Sequence, residues 1–439
     1  MNLTVVIITA ANVRNQMSQK KNDAEIAEFN KLMTERRKKT ENKHKYLRDT
    51  CNRNLVVMKE CEFHVSQSFP VLSSEQLLAE IRKGNYFGAA VCDVRVPERL
   101  KESFAEMPPV FKNVEVTIDN VGPYMKNVCQ KLGEFKSPRR SLIGSYFGEQ
   151  IMIATPLIQW YCNHGVDVSN ITSFVRYDPI PCFGKFTEDV ADARRKADTD
   201  QSGTAAGNTA KLVGNALYGK TITNKEKHVD VKYAAANKTR QFTNNPLFQH
   251  MSKINDDIYE VQLHKGTIKH DLPIQIGFWV YCLAKMRMLA FYYDFLIKFF
   301  DRSKFELSQM DTDSLYFAIA GDKIEDILKP NMYSTYFRER HLWLPSEHCD
   351  NCIDDYVTTK VAKDEWKLKP CCDKRRQFDK RTPGLFKLEF QGDKILSLCS
   401  KSYICVDGEQ TKKAHKGVNG NQNTLLFEHY EQVLSESTQ

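Results

Sequence analysis

The sequence has no long hydrophobic run and no recognisable export signal. No stretch reaches 18 uncharged apolar residues, and the nearest, residues 274–300, is interrupted by charges such as Lys285 and Asp294. This pattern predicts a core helix and not a membrane span. The first ten residues, MNLTVVIITA, are apolar but lack a basic start and are too short for a convincing signal peptide. We therefore expect a chain that meets no membrane and is not secreted.

Neither an even set of cysteines nor a strong charge of one sign is present. The 13 cysteines are scattered, which favours a reduced intracellular protein over a disulfide scaffold. The 63 Lys+Arg exceed the 55 Asp+Glu only mildly, for a net charge of +8. Basic residues concentrate in the stretches 20–48 and 360–387, which suits phosphate backbones but is equally typical of a solvated charged face.

The chain is long enough for two to four structural units, and no internal repeat is visible. Helices and strands mix without regular alternation, which predicts an α+β fold. One predicted helix, SSEQLLAEIRKG, is capped by Ser73 or Ser74 and ends at Gly84. Further helices are predicted at 155–165, at 276–302 and, as a hairpin with a break near 203–208, at 185–222. Strands are predicted at 54–63, 86–96, 168–177, 384–390 and 393–406, and two strands around a tight turn are predicted at 305–321.

The strongest chemical signal is QMDTDSLY, residues 309–316. Asp311 and Asp313 stand at the predicted turn between two strands, after the long predicted helix. Mg²⁺ commonly takes one or two carboxylates together with substrate phosphates. Two such ions about 3.5–4 Å apart can activate a hydroxyl and stabilise the leaving oxygen of a phosphoryl transfer. An Asp-x-Asp pair alone is also typical of a solvated turn.

A second signal is KLVGNALYGK, residues 211–220. On a helix Lys211, Asn215 and Tyr218 share one face, so a cation, an amide and an aromatic ring line up. Such a face suits a triphosphate, a sugar or base edge, and a stacked ring. Gly219 is predicted to end the helix and to let the backbone approach a nucleic acid strand. A surface helix with a glycine cap is the open alternative.

These motifs, in this order, resemble those of family B DNA polymerases. The finger motif of that family reads K-x-x-x-N-S-x-Y-G and its palm motif reads D-T-D-S. Lys401-Ser402-Tyr403, in LCSKSYICV, is similar to the K-x-Y motif of the family. KLVGNALYGKTITNKEKHVDVK, DLPIQIGFWVYCLAKMRMLAFYYDF and KRTPGLFKLEF resemble the protein-primed branch, in particular the polymerases of Maverick/Polinton elements and related viruses. The resemblance covers about residues 80 to 420.

The resemblance implies a right-hand architecture of palm, fingers and thumb. The implied reaction is template-directed transfer of a deoxynucleoside monophosphate to a 3′-hydroxyl, with release of pyrophosphate. The implied partners are a DNA template and primer, a dNTP, two Mg²⁺ ions and a terminal priming protein. The implied compartment is the nucleus or a viral factory.

The resemblance also implies roles for individual residues. Asp311 and Asp313 are expected to bind the metal ions, and Lys211 to contact the phosphates of the incoming nucleotide. Asn215 and Tyr218 are expected to contact the nucleotide or the template. The expected DNA contacts are Gly219, Lys220, Lys401 and Tyr403.

Three features depart from the family pattern. The palm motif D-x-x-S-L-Y-P, whose Asp supplies a further metal-binding carboxylate, is not found. Asp93, in AVCDVRVPERL, is the best positional candidate, but related elements carry a D-x-x-x-P segment downstream of the true motif. We therefore expect Asp93 to lie beyond reach of an ion at Asp311 and Asp313, and the purified chain to have little or no activity. Ala216 replaces the usual Ser of the finger motif. No acidic exonuclease motifs appear in the sequence, so we expect no proofreading by this chain.

The predicted domain order follows the resemblance. KKTENKHKYLRDTCNRNLVVMKECEF resembles the tail of a mismatch-repair-type endonuclease domain that lacks its acid and histidine, so the N-terminal part is predicted to be truncated or degenerate. The predicted parts are 1–65 as that remnant, 66–190 as a partial palm with a connecting insertion, 191–235 as fingers, 236–395 as palm with a Cys-rich insertion at 345–380, and 396–439 as the start of the thumb.

The Cys-rich insertion contains HCDNC, residues 348–352, followed by Cys371 and Cys372. Cys349 and Cys352 have the spacing of zinc ligands, whereas an adjacent Cys-Cys pair is unusual. Free thiols in a surface insertion are therefore favoured, with a structural Zn²⁺ as the alternative. Two other functions stay open: a decayed or truncated polymerase-like copy that binds DNA or nucleotide without catalysis, and a zinc-stabilised nucleic-acid-binding protein.

Overall fold

The computed structural model describes residues 72–120, 122–132, 139–177, 179, 183–199, 203–269, 271–311, 313–399, 401–415 and 424–438. The predicted strand at 54–63, the basic stretch 20–48 and the endonuclease-like remnant lie outside these residues. The described chain is a mixture of helices and strands, which confirms the α+β class. It forms two compact units, one made of the described parts of 72–210 and 279–438, the other of 211–278.

The first helix, α1 (Ser74–Arg82), shows local sequence chemistry setting an element. The Ser73 hydroxyl accepts a hydrogen bond from the Gln76 amide at 3.2 Å, and the Gln76 side chain accepts one from the Ser73 amide at 2.9 Å. This reciprocal pair satisfies two amides that the first turn of a helix leaves without partners. Gly84, with φ +83°, follows the helix. The predicted cap and glycine stop are confirmed.

The first unit continues with two small sheets. Strand β1 (Gly88–Arg95) lies between the fourth and fifth strands of the chain in an antiparallel sheet, and the second and third strands pair in a separate ribbon. Ala89, Ala90, Cys92 and Val94 of β1 are buried, because the central strand is covered by the core. The elements in chain order are β1 (Gly88–Arg95), β2 (Val110–Val116), α2 (Pro123–Leu132), β3 (Arg139–Ser145), β4 (Phe147–Ala154), α3 (Thr155–Asn163) and β5 (Asp167–Arg176).

Two helices, α4 (Gly184–Thr199) and α5 (Thr204–Thr221), confirm the two predicted helices, but the break predicted near 203–208 is misplaced, since α5 already begins at Thr204. They approach closely, since a Cβ placed on Gly207 would lie 2.8 Å from Ala197 Cβ. Helix α5 ends at Thr221, so the prediction that Gly219 ends it is wrong. The Thr221 hydroxyl donates to the Tyr218 carbonyl at 2.7 Å, which satisfies a carbonyl of the last turn and lets the helix run past the glycine.

The second unit contains the end of α5 and a three-stranded antiparallel sheet whose last strand along the chain lies between the other two. Val261 and Leu263 of the central strand are buried with Ala234, and Phe242 and Met251 pack against them. The elements in chain order are β6 (Val229–Ala235), α6 (Thr239–Thr243), β7 (Phe248–Lys253) and β8 (Ile258–His264).

A continuous helical segment follows, with α7 (Ile274–Ala290), a π-helical turn (Phe291–Leu296) and a last turn (Ile297–Phe299). By length and composition it could cross a membrane, a test that buried core helices also pass. Leu289, Phe295 and Phe299 are fully buried in the main core cluster, the position expected of a core helix. The segment ends three residues before the predicted Arg302. The expectation that the chain meets no membrane stays a prediction.

The rest of the first unit carries a hairpin of two strands around Asp311, a helical insertion and a three-stranded sheet whose strands pair in chain order. The two strands predicted around Asp311 are confirmed, whereas the single strand predicted at 393–406 is two antiparallel strands that pair with each other. The elements in chain order are β9 (Phe305–Asp311), β10 (Ser314–Ile319), α8 (Tyr333–Glu339), α9 (Ile353–Val361), α10 (Pro370–Asp379), β11 (Lys394–Cys399), β12 (Ser402–Asp407), β13 (Gln410–His415) and α11 (Phe427–Thr438). Short 3₁₀ turns lie at Glu98–Leu100, Ile118–Asn120, Lys225–Lys227, Ala236–Lys238, Arg302–Lys304, Ile324–Ile327, Pro330–Met332, Arg340–Leu342 and Asp350–Cys352.

The predicted strand GLFKLEF, 384–390, is wrong, because no regular element covers it. Phe386 instead stacks on Phe291, with ring centroids 3.9 Å apart. Its amide donates to the Trp343 carbonyl at 2.8 Å, and Arg287 donates to the Gly384 carbonyl at 3.0 Å. Side-chain packing and isolated hydrogen bonds therefore hold this segment against the core without a ladder.

Candidate functional site

The turn between β9 and β10 carries two acidic residues. Asp311 ends β9 and is paired with Ser314 of β10, and Asp313 lies in the turn between them. The Asp313 amide donates to the Asp311 carbonyl at 2.6 Å, which tightens the turn. The Asp311 side chain is 22% exposed, and Asp313 is exposed. The predicted placement of both acids on one hairpin turn is confirmed.

The hairpin is anchored to the main core. Leu307, Leu315 and Phe317 pack against the buried cluster of the first unit, and Phe305 is itself buried in it. The rings of Phe305 and Phe317 lie across the two strands, with centroids 6.4 Å apart. An anchored pair of strands limits the motion of the turn, as a site for two carboxylates requires.

Lys401 approaches the same turn from the sheet of β11, β12 and β13. Its Nζ lies 3.7 Å from Asp311 Oδ2. Lys401 has φ +62°, a left-handed conformation that is uncommon for a residue with a side chain. The lysine side chain is 57% exposed, so the ion pair contributes at most about 1 kcal/mol to stability. The ion pair matters mainly for position, because it places the Lys401 cation beside the Asp311 carboxylate.

Tyr403, two residues further, joins the two sheets by its hydroxyl. The hydroxyls of Tyr316 and Tyr403 are 2.8 Å apart, and the ring centroids are 4.7 Å apart. Burial, and then the hydrogen bond with Tyr403, raise the pKa of the Tyr316 phenol. Ser397 of β11 also hydrogen-bonds Gln309 of β9. Lys401 and Tyr403 therefore lie beside the acidic hairpin, although about 90 residues separate them from it in the sequence.

Asp93 lies on β1, which belongs to a different sheet from the hairpin. Its Oδ1 accepts hydrogen bonds from the Gln150 amide at 2.7 Å and the Gln150 side chain at 2.9 Å, and its Oδ2 accepts one from Asn170 at 2.9 Å. These bonds, first that from Asn170, lower the pKa of Asp93. Gln150 and Asn170 have φ of +48° and +50°, so the carboxylate braces two unusual turns of the backbone. This role accounts for an acid here without a metal ion.

The residues of the second motif lie on α5 in the second unit. Lys211 and Asn215 are exposed, and Tyr218 is half-buried on the same helical face. Gly219 and Lys220 occupy the last turn of that helix. The metal-binding candidates of the hairpin belong to the first unit.

Four cysteines of the insertion converge. The Sγ atoms of Cys349, Cys352, Cys371 and Cys372 all lie within 4.8 Å of one another. The separations Cys352–Cys371 and Cys371–Cys372 are both 3.9 Å. This cluster can hold a metal ion. The adjacent pair at 371 and 372, which argued against a metal site in the sequence, contributes two of the four sulfur atoms.

Asp294 and Lys285 lie on the long helical segment, and in the sequence they stand out only as charges that interrupt an apolar run. His164 Nε2 donates to Asp294 at 2.6 Å, His164 Nδ1 donates to the Trp160 carbonyl at 2.8 Å, and Trp160 Nε1 donates to Asp294 at 3.0 Å. Burial disfavours the charged imidazole, but the bonds to Asp294 and Trp160 outweigh it and raise the pKa of His164. Both ring nitrogens face acceptors, so the protonated ring satisfies both.

Lys285 is the other such group. Its Nζ lies 5.0 Å from the centre of the Phe111 ring and 6.0 Å from that of Tyr161. Burial lowers the pKa of Lys285 to about 8. A charge inside an apolar run, taken as a mark of a buried ionisable group, is the sequence signal that could have located both features.

No protein-family model, no curated protein and no solved structure matches this chain. Function must therefore be inferred from the residues and their geometry. Three groups carry chemistry: the acidic hairpin with Lys401 and Tyr403, the exposed face of α5, and the four-cysteine cluster.

Proposed function

We propose that this chain is the DNA-synthesising part of a protein-primed, family B-type DNA polymerase. The proposed reaction is template-directed transfer of a deoxynucleoside monophosphate to a primer 3′-hydroxyl. The observation that carries the proposal is the approach of Lys401 and Tyr403 to the hairpin of Asp311 and Asp313. Motifs that merely follow one another in a sequence need not lie close together in the fold. A strand that binds the primer, in contrast, must lie beside the turn that binds the metal ions.

The proposed roles follow from the chemistry of each group. Asp311 and Asp313 offer the oxygen ligands that Mg²⁺ prefers, and bound Mg²⁺ would neutralise charge on the transferring phosphate. Lys401 supplies a cation next to Asp311, suited to a primer phosphate. Tyr403 holds the Lys401 turn against the hairpin through Tyr316. Positioning and electrostatics would then supply most of the catalysis, as is usual in phosphoryl transfer.

The proposal extends to architecture and partners. The hairpin and its sheets would form the palm, α4 and α5 the fingers, and the C-terminal strands and helix the start of the thumb. Lys211, Asn215 and Tyr218 would meet the dNTP, and Gly219 and Lys220 the DNA. A terminal protein would act as primer, in the nucleus or a viral factory. The four-cysteine cluster would hold a structural Zn²⁺.

A second candidate, DNA or nucleotide binding without catalysis, is favoured by one observation. Both oxygens of Asp93, the best candidate for the missing palm carboxylate, are engaged by Gln150 and Asn170. Two carboxylates are a small set for two Mg²⁺ ions. We therefore expect extension by the purified chain to be weak or undetectable. A zinc-stabilised nucleic-acid-binding protein without a nucleotide site is a third candidate, motivated by the cysteine cluster.

Primer extension with Mg²⁺ tests the proposal. Any extension by the purified chain should be abolished in Asp313→Asn, because a neutral amide oxygen binds Mg²⁺ more weakly than a carboxylate does. Glu306→Gln is the matched control: it removes one negative charge from an exposed position on the same hairpin, where Glu306 pairs with Ala318 away from the turn. We expect the control to extend primers as the unaltered chain does.

The outcomes separate the candidates. Extension that survives Asp313→Asn would show that these acids are not the metal ligands. If no variant extends a primer, fluorescence anisotropy with a primer–template decides between the others. A gain in DNA affinity on adding the correct dNTP would support a nucleotide site without catalysis. DNA binding that ignores dNTP would leave the nucleic-acid-binding protein.

A further inference from the structure

The donor geometry of the cysteine cluster is that of one shared ion. Zinc bonded to four thiolates at about 2.3 Å in a tetrahedron places the sulfur atoms about 3.8 Å apart. Two pairs here, Cys352–Cys371 and Cys371–Cys372, are 3.9 Å apart, and no pair of the four exceeds 4.8 Å. All four are free thiols. Soft sulfur donors in this number select Zn²⁺ over Mg²⁺ or Ca²⁺.

Two helix N-termini point their first turns at this cluster. Cys352 is the N-cap of α9, and Cys371 and Cys372 stand directly after Pro370, the first residue of α10. The N-terminus of a helix carries a partial positive charge, which stabilises an anionic centre bound beside it. The backbone therefore supports the negative charge that four thiolates bring to a zinc ion.

The two helices differ in how the rest of the protein holds them. Tyr356 and Val357 of α9 are buried in the main core, and the Tyr356 hydroxyl donates to Glu347 at 3.1 Å. Helix α10, PCCDKRRQFD, buries only Cys372 and Asp379 among its ten residues. A helix of this length with so little apolar burial is marginal by itself. Two of its attachments are the cysteine end and Asp379, which accepts from the Ser346 amide at 3.2 Å.

The C-terminal end of α10 in turn contacts α4. Arg195 of α4 donates to the Phe378 carbonyl at 3.1 Å, and its guanidinium lies 3.7 Å from the centre of the Phe378 ring. Arg381, just after α10, donates to both carboxylate oxygens of Asp198 at 2.7 and 2.5 Å. A two-point guanidinium–carboxylate pair fixes orientation as well as distance. The last turns of α4 therefore rest on α10.

We infer that the four cysteines hold one Zn²⁺ whose role is to fix α10 to α9, and that α10 so fixed docks helix α4. The zinc identity rests on the assignment made above, but nothing here requires DNA synthesis. The zinc closes the chain between Cys352 and Cys371, so that the marginal helix α10 is held at both ends. Without the ion, the N-terminal end of α10 would keep the exposed ion pair of Lys369 with Asp355 of α9 at 3.0 Å, and the platform for Arg195 and Asp198 would loosen.

Metal content of the full-length chain tests the first half. Protein purified in the presence of Zn²⁺ and then dialysed should contain one zinc per chain by mass spectrometry of the metal. The double variant Cys371→Ser, Cys372→Ser should contain none. Cys129→Ser is the control, because this thiol lies on α2, outside the cluster, and is also only partly exposed. Absence of zinc from the unaltered chain, or its retention in the double variant, would overturn the zinc centre.

Hydrogen exchange tests the second half without relying on a cysteine variant that fails to fold. Removing zinc from the unaltered chain with a chelator should speed exchange at least tenfold in peptides from both α10 and α4, and restored zinc should reverse it. Arg381→Ala should keep its zinc while α4 exchanges rapidly with or without chelator. Faster exchange in α10 with α4 unchanged would overturn the docking. These readouts need no DNA, so they stand apart from any failure of the polymerase proposal.

Discussion

The hydroxyl–hydroxyl contact between Tyr316 and Tyr403 provides a sensitive test of whether the Lys401 turn lies beside the acidic hairpin in solution. The perturbation is Tyr→Phe at each position and at both. Tyr403 is 7% exposed, so the loss of one hydroxyl leaves the other poorly solvated. A buried polar group without its partner costs about 1–3 kcal/mol, whereas removing both partners of a pair is nearly neutral.

The expected result is therefore strong non-additivity. Each single variant should lower the free energy of local opening by about 1 kcal/mol or more, and the double variant should lose less than the sum by about 1 kcal/mol. Because a chain of 439 residues cannot be assumed to unfold in two states, local opening is measured by native-state hydrogen exchange of peptides from 305–319 and 402–407. Each Tyr→Phe substitution removes only the hydroxyl, so the packing of the aromatic ring is retained in every variant.

Tyr161→Phe combined with Tyr316→Phe is the matched control. The Tyr161 hydroxyl donates to the Pro109 carbonyl at 2.7 Å and shares no partner with Tyr316. This pair should be additive within about 0.5 kcal/mol. Additivity of the Tyr316 and Tyr403 variants within the same limit would refute the contact, and with it the observation that supports the proposed function.

Three further predictions concern charge. Burial lowers the pKa of Lys285 to about 8, below its unfolded value of about 10.4, so the penalty for burying the ammonium is full below pH 8 and fades as pH rises towards 10. Lys285→Met should therefore raise the midpoint of thermal unfolding at pH 7, with a gain in stability of up to about 3 kcal/mol that narrows by pH 10. A difference between variant and unaltered chain that stays constant with pH would contradict this. His164 has a raised pKa, so its stabilising contribution is full below about pH 6.5 and is lost as pH rises through the folded pKa. His164→Gln should therefore lower the midpoint of thermal unfolding more at pH 6 than at pH 9. Equal losses of stability at the two pH values would count against the pair with Asp294. DNA affinity should fall steeply and linearly on a plot of log affinity against log salt, with little sequence preference, and a salt-independent interaction would exclude a backbone-tracking channel.

Local chemistry in the sequence predicted much of the fold. Ser73 and Gln76 cap α1 and Gly84 follows it, because caps and glycines act within one or two turns of the chain. The alternating strands around Asp311 and the turn between them were predicted for the same reason. The four-residue reach of a helix and the two-residue period of a strand are readable without knowledge of the fold.

Predictions failed where distant residues decide local structure. The segment 384–390 alternates like a strand, but Phe386 stacks on Phe291 and its amide meets Trp343, so no neighbouring strand pairs with it. The end of α5 was misplaced because the Thr221 hydroxyl satisfies a carbonyl that a glycine stop would otherwise have satisfied. Propensity is a weak prior wherever a tertiary contact offers the backbone another partner.

The candidate sites divide in the same way. By itself the sequence determined that Asp311 and Asp313 share a turn and that Lys211, Asn215 and Tyr218 share a helical face, because neighbours along a regular element are set by its geometry. Only the tertiary structure decided that Lys401 meets Asp311, that Asp93 is engaged by Gln150 and Asn170, and that Cys371 and Cys372 complete a cluster with Cys349 and Cys352. Those contacts join residues far apart in the chain, and their formation depends on which surfaces the whole fold buries, which no local pattern encodes.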